Sequence, residues 1–525
     1  MLYSTPMPNS TNTVLKYAIL SGIFSLAFIP LIVSSNMFFP FITGKNFTFR
    51  IIIELIFGLY LILAMRDSSY RPRFSGMFAA FLSFIGIMTL ATIFAENPAK
   101  SFWSNYERME GLITLLHLFA YFIVLGHVIN TKKLWDRLFQ TSLGVSLIIC
   151  FYAFLQLAGK LTINQGGVRV DATFGNATYL AIYMVIHIFL ALVFILRVNQ
   201  ATWIRIVYGA LVVMQTIVLY HTATRGAILG LLGGLGLMAL LLAIFEKERK
   251  SIRKISIATI GVIVAIVLVF VAVKDSDFVT KSPVLSRFSN ISFNETKTQA
   301  RAYVWPMAIN GFKEKPILGW GQENFNFVFN KYYDSRMYRH EPWFDRTHNV
   351  VLDWLVAGGL LGILGYLSLY ALAMYAVWKK GDLSFAERAA FTGLFSAYFF
   401  HNLFVFDNLT SYIMFVLLLS YLHFDTARDF SNRLSRKMED LLSSQALVNR
   451  LVAPIIVVLT IASVYYLNAK PIAANTTLIE SISTGTVEER INNFKRALSY
   501  DTFGNQEIRE QIVQFAFNVS YANGV

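Results

Sequence analysis

Residues 274–349 read KDSDFVTKSPVLSRFSNISFNETKTQARAYVWPMAINGFKEKPILGWGQENFNFVFNKYYDSRMYRHEPWFDRTHN, a long and mostly polar stretch set between two apolar runs. It carries Arg301, Trp305, Gly319-Trp320-Gly321, Glu323, Asn324, Glu341, Asp345, Arg346 and His348. Nothing else in the chain resembles it, because the rest reads as membrane. Loops hold functional groups where buried spans mostly pack, so this segment is where water-exposed chemistry is expected. Working outward, apolar runs of roughly 17–25 residues recur on both sides, each long enough to cross a hydrocarbon core of about 30 Å. The chain is expected to be an all-α polytopic membrane protein with about 13 spans, near 14–34, 50–65, 75–95, 111–130, 139–158, 177–196, 203–221, 226–245, 255–273, 349–378, 389–406, 410–424 and 450–468.

Composition agrees with that class. Of 525 residues, 56% are hydrophobic and 14% charged, against about 25% charged in a soluble domain. The first apolar run, Val14–Val33, is long enough to span and shows no small-residue cleavage site. The single cysteine, Cys150, lies in an apolar run, which excludes an intrachain disulfide. A net charge of +14 would suggest nucleic acid in a soluble protein. Here it follows from the excess of Lys and Arg in cytoplasmic loops, and no nucleic-acid partner is expected. Arg66/Arg71/Arg73, Lys132/Lys133/Arg137, Arg197/Arg205, Lys247/Arg249/Lys250/Arg253/Lys254 and Lys379/Lys380/Arg388 all fall on one side, which the bias makes cytoplasmic. The N-terminus is then cytoplasmic, and the loops near 35–49, 96–110, 159–176, 222–225, 274–348 and 407–409 face outward, as does the C-terminus.

The expected domains are a membrane-embedded core at 1–425, a cytoplasmic amphipathic helix at 426–449, a last span at 450–468 and an outward helical tail at 469–525. In the amphipathic piece Phe430, Leu434, Met438, Leu441 and Leu442 share one face. The tail shows two short helical patterns around 488–498 and 506–517, joined by a turn. It is similar to the start of a tetratricopeptide array or to a capping hairpin, and a protein partner for it is possible; one pair of helices cannot bury its apolar face alone. Gly226, Gly230 and Gly234, like Gly358 and Gly362, sit at four-residue spacing and let helix backbones approach closely.

The outward-facing charges each carry two readings. Arg225, in His221-Thr222-Ala223-Thr224-Arg225-Gly226, sits at the outer boundary of a span, where it either snorkels to headgroups or meets an anionic ligand beside a small-residue helix. Arg301 opens a helical pattern and either forks onto phosphate oxygens or pairs with Glu295 or Glu314. His348, at the mouth of a span and close to Asp345 and Arg346, is either structural or a base for a hydroxyl proton. His340 competes with it from farther into the loop. Glu107 and Arg108, with Trp103, are candidates for glycan contact or a local ion pair at the interface.

The order Phe174-Gly175-Asn176-Ala177-Thr178-Tyr179-Leu180, Thr224-Arg225-Gly226-Ala227, Arg301 to Trp305, Gly319-Trp320-Gly321 and His348-Asn349 leading into a Gly-rich span resembles the O-antigen ligase and polymerase superfamily. The resemblance covers about residues 75–425. It implies a glycosyltransferase of the bacterial cytoplasmic membrane that moves a glycan from undecaprenyl diphosphate to a glycan, lipid or protein acceptor on the outer face, with no cofactor, metal or nucleotide sugar. Carried over, Arg225 and Arg301 match diphosphate-binding arginines and His348 a base. Asn176 and Trp320 match motif positions that are structural or line the substrate; with Trp305, Glu107, Arg108, Asp345 and Arg346 they are the candidate substrate-binding residues. A thirteenth span and an outward tail depart from the usual ligase plan and leave the acceptor open. A flippase or transporter of lipid-linked oligosaccharide is the rival from another class, with Asp353 just inside a span as its best support.

Overall fold

The computed structural model describes residues 10–522 apart from 199, 290–299, 340–342, 381, 429–444 and 484. The expected amphipathic helix at 426–449 falls largely outside the described residues, as do His340, Glu341 and Glu295. The helices are α1 Ser10–Leu26, α2 Thr43–Arg66, α3 Gly76–Ile93, α4 Leu112–Val128, α5 Lys132–Leu157, α6 Ala177–Leu196, α7 Thr202–His221, α8 Arg225–Phe245, α9 Lys250–Val273, α10 Arg301–Glu314, α11 Phe325–Lys331, α12 Val350–Tyr375, α13 Phe385–Asn402, α14 Leu409–Thr426, α15 Gln445–Ser483, α16 Val487–Ser499 and α17 Asn505–Ala522. Each predicted span coincides with one of them. Among the described residues ten are long and apolar enough to cross a membrane; α1, α4 and α13, each at an expected span, are not among them. Only helices satisfy their own backbone in lipid, and among the described residues no strand forms beyond one bridge, Phe74 to Arg428. The chain is an all-helical integral membrane protein.

It divides into two compact units, 1–79 with 99–135 and 427–525, and 80–98 with 136–426. In the first, α2 places Asn46, Arg50 and Glu54 at four-residue spacing on one buried face. Arg50 Nη2 donates to the Met109 carbonyl (3.0 Å) and to Thr114 Oγ1 (2.8 Å). Glu54 Oε1 meets His117 Nε2 and accepts from Asn468 Nδ2, each at 2.9 Å. Such contacts tie α2, α4 and α15 together where lipid supplies no hydrophobic drive between helices. Past Asn468, α15 continues to Ser483 and adds a third layer to the tail. Ala474 and Leu478 of α15 pack with Phe494 and Ala497 of α16 and Ile508 and Phe515 of α17, which is how two short helices find a shared core.

In the second unit α8 packs along α13, and α6 lies against α7 and α13. The glycine spacing explains how closely the first pair meets. A Cβ on Gly234 would stand 2.5 Å from the Gly393 carbonyl, and one on Gly230 2.9 Å from that of Ala397. The space beside this part of α8 is therefore filled by α13, as the four-residue glycine spacing predicts.

Helix α12 is interrupted at Gly359, whose φ is +62°. The polar segment Pro316–Gly321 fits into the interruption. Trp320 N donates to the Val356 carbonyl (2.7 Å), Gly321 N to that of Ala357 (3.1 Å) and Leu360 N back to that of Pro316 (2.8 Å). The Gly-Trp-Gly motif thus seams the loop onto a span. A Cβ on Gly359 would lie 2.4 Å from the Ile317 carbonyl, so Gly359→Ala combines left-handed strain with a backbone clash. It is expected to destabilise by about 2–4 kcal/mol, read as a lower thermal midpoint of the detergent-solubilised protein.

Candidate functional site

Two helices of the second unit begin with an arginine, α8 with Arg225 and α10 with Arg301, and no side chain caps either end. The free N–H groups and the helix dipole add positive character to both. Arg225 turns into the polar segment: its Nη1 donates to the Arg287 carbonyl at 2.9 Å, which argues against snorkelling to lipid. Burial lowers the pKa of Arg301, and the charge of Arg225 lowers it further; Arg287 is shifted the same way by burial and then by Arg225. Arg169 joins them. Burial, then Arg287, pushes it down to about 10. Its Nε donates to the Thr222 carbonyl (2.9 Å) and its Nη2 to Thr224 Oγ1 (3.2 Å), gripping the turn that delivers Arg225. Among the described residues no carboxylate lies within salt-bridge reach of any of the four. Glu314 is occupied at the far end of α10 by Lys331 (2.6 Å) and Tyr332 (2.7 Å). Like charges held together in a partly buried place repel, and an anion is what relieves them.

His348 is linked to the helix that Arg301 begins through the residue before it. Its backbone is left-handed, φ +56°, and its ring lies between Phe344 (5.4 Å) and Phe406 (5.1 Å), both edge-on. The neighbouring Thr347 explains how the strained turn is held. Thr347 N and Oγ1 both donate to Asp353 Oδ1 at 2.8 Å, and the Thr347 carbonyl accepts from Trp305 Nε1 at 3.1 Å. Asn349 then caps α12 through Val351 N and Leu352 N. Trp305 stands four residues beyond Arg301, one helical turn or about 6 Å along α10. One short helix therefore carries a cluster arginine at its start and the anchor of the histidine turn one turn later. Asp353 is a support for that turn.

The other predicted residues divide. Arg346 is paired with Glu323 and lies over the Phe406 ring (5.6 Å), with half-buried Asp345 beside it. Asn176 accepts from Thr178 N (2.8 Å) and caps α6. Trp320 is 3% exposed, with its Nε1 donating to the Gly311 carbonyl (2.8 Å), so it belongs to the core of the loop with Val304, Met307 and Phe325. These contacts of Asn176 and Trp320 are made within the protein. Glu107 and Arg108 lie in the first unit and form an ion pair with each other at 3.3 Å. Among the described residues no three His, Cys, Asp or Glu side chains gather as a metal site requires. Arg169 and Arg287 were missed by the sequence reading. A signal existed, since both are arginines in loops that the charge bias places outward, where arginine is uncommon.

Fold and site together define a polytopic membrane protein with a cationic site built from a polar loop at the ends of its helices. The family model described as O-antigen ligase matches residues 209–367, the segment that holds Arg225, Arg287, Arg301, Trp305 and His348, so this part of the chain is similar to the O-antigen ligase superfamily. An uncharacterised protein of Haemophilus influenzae is 24% identical over 344 residues, covering 64% of this chain and 81% of that protein. The match supports a membrane glycan-transferring enzyme of that superfamily.

Proposed function

We propose that the protein is an inverting glycosyltransferase of the bacterial cytoplasmic membrane that takes a glycan from undecaprenyl diphosphate and passes it to an acceptor hydroxyl on the outer face. The observation that carries this is the group of four arginines whose acting charged neighbours, among the described residues, are one another. A diphosphate offers several oxygens to several guanidinium forks, and arginine stays charged even when partly buried. In the reaction the acceptor oxygen attacks the anomeric carbon as the bond from that carbon to the phosphate oxygen breaks. The proton of the hydroxyl passes to His348, and the electron pair leaves with the lipid diphosphate. Arginines that hold the diphosphate more strongly as its charge grows stabilise the transition state over the ground state.

The acceptor is a lipid A core, a growing polysaccharide, a protein hydroxyl or a cell-wall glycan. Incubating the purified protein with undecaprenyl-diphosphate-linked donor and each acceptor class in turn tests the reading. Product with inverted anomeric configuration is expected from one class, and polymer in the absence of added acceptor would move the assignment to a polymerase. Donor that crosses a bilayer without forming product with any acceptor would overturn the transferase reading in favour of a transporter.

A further inference from the structure

The carboxyl of Glu507, on the second tail helix, is 7% exposed; its Oε1 accepts the backbone N–H of Tyr106, and the next amide, that of Glu107, is close enough to act on its charge. These amides belong to the loop that presents the Glu107–Arg108 pair, and all of it lies in the first unit. The loop is held from other directions too. Tyr106 is fully buried, its hydroxyl donates to the Pro471 carbonyl (3.0 Å), and its ring packs on Phe503 (4.9 Å) in the turn before α17. Trp103 stacks on the same Phe503 with ring planes 8° apart. Gly504 admits the Tyr106 ring, since a Cβ there would lie 2.1 Å from it. Met109, at the loop's end, is left-handed (φ +54°), and its carbonyl takes the Arg50 bond.

Two loop amides aimed at one buried acid are more than a tail needs in order to stay attached, because the tail already has its own core. A bond from a tail side chain to a loop backbone N–H fixes the loop's path and so the direction of the side chains next to it. We infer that Glu507 is a positioning residue: it holds the 104–110 loop so that the Glu107–Arg108 pair and the Trp103 face meet a saccharide. The inference rests on the transferase reading for the identity of that ligand. A guanidinium and a carboxylate side by side match the paired hydroxyls of a sugar, and an aromatic face matches its C–H surface.

Burial pushes the Glu507 carboxyl up to about 8, with the charges of Glu510 on its own helix and Glu107 on the loop adding to the rise and the two amides opposing it. Tyr106 is the other titratable group facing it. An acid raised in this way favours the docked state at lower pH, and docking weakens as pH climbs toward about 8.

The test combines hydrogen exchange of residues 103–111 in the full-length chain with steady-state transfer. In Glu507→Ala the Tyr106 and Glu107 amides are expected to exchange about tenfold faster, and KM for the saccharide substrate to rise about tenfold while kcat stays within about twofold. Glu507→Gln, which keeps an acceptor without a charge, should restore both and remove the loosening that wild type shows at alkaline pH. Arg108→Ala, which leaves the amide bond in place, should raise the same KM with exchange at Tyr106 unchanged. Unchanged exchange in Glu507→Ala, a fall confined to kcat, or a Gln variant as impaired as the Ala variant each overturns the proposal. An unchanged KM in Arg108→Ala removes the saccharide role. If wild type itself forms no product, the transferase reading falls and takes the saccharide role with it, and exchange alone then decides whether Glu507 holds the loop.

Discussion

Arg301→Ala lowers kcat/KM for transfer from the lipid diphosphate by about 10²- to 10³-fold, the size seen when one preorganised donor to a developing anion is removed. The reason lies in how Arg301 is placed. It begins a helix, it is partly buried, and the charge acting on it is Arg225. A structural arginine gains its stability from a carboxylate, and breaking such a buried pair is destabilising. Here removal relieves repulsion. The thermal midpoint of Arg301→Ala should therefore equal or exceed that of wild type while activity collapses. Arg301→Lys should recover only part of the loss, because a single ammonium cannot fork onto two phosphate oxygens. Activity and midpoint are measured on the same preparations. A variant that loses stability and activity in step would show that Arg301 holds the loop together and does not hold the donor. Arg287→Ala, which removes a more peripheral guanidinium but leaves the carbonyl that Arg225 bonds, should cost about tenfold.

How much of this was legible beforehand follows the physics of each signal. Spans announce themselves because lipid demands a long apolar helix, and every predicted run coincides with a helix. Arg225, Arg301 and His348 stood out because arginine and imidazole are uncommon at the outward ends of spans and because they fall at positions that resemble the ligase motifs. Trp320 was named without its role being decidable, since its task depends on Val356 and Gly311, neighbours that no local spacing reveals. The same is true of Gly359. A glycine inside an apolar run looks like one more small packing residue until the loop that replaces its helical bonds is seen. Asp353 shows the limit most clearly. In the sequence it is an acid inside a span, which suggests transport, whereas in the fold it accepts two bonds from Thr347 and supports the histidine turn. Arg50 and Glu54 were passed over because four-residue spacing on one helix does not disclose that Met109, Thr114, His117 and Asn468 converge on them.

His348→Ala is expected to reduce kcat by about 10²- to 10⁴-fold with little change in KM for the donor, the signature of a lost proton acceptor whose contribution appears only as the hydroxyl attacks. The ring's surroundings make a purely structural role a poor account. Its backbone sits in a left-handed conformation that costs about 1–3 kcal/mol in a non-glycine residue, and three separate groups, Asp353, Trp305 and Asn349, hold the turn that imposes it. Structure spent on fixing one imidazole between two aromatic edges is repaid if its direction matters. Free imidazole added to His348→Ala should restore part of the rate, because the vacated space between Phe344 and Phe406 is shaped for that ring and the missing function is a proton acceptor. Asp353→Asn provides the contrast. It keeps an oxygen for Thr347 but not the charge, so the turn loosens while His348 remains, and the rate should fall by about tenfold without any response to imidazole. Rescue of His348→Ala alone assigns the proton to His348. If neither variant responds and both lose kcat equally, the turn serves to shape the loop, and the base must be sought elsewhere among the groups facing the arginines.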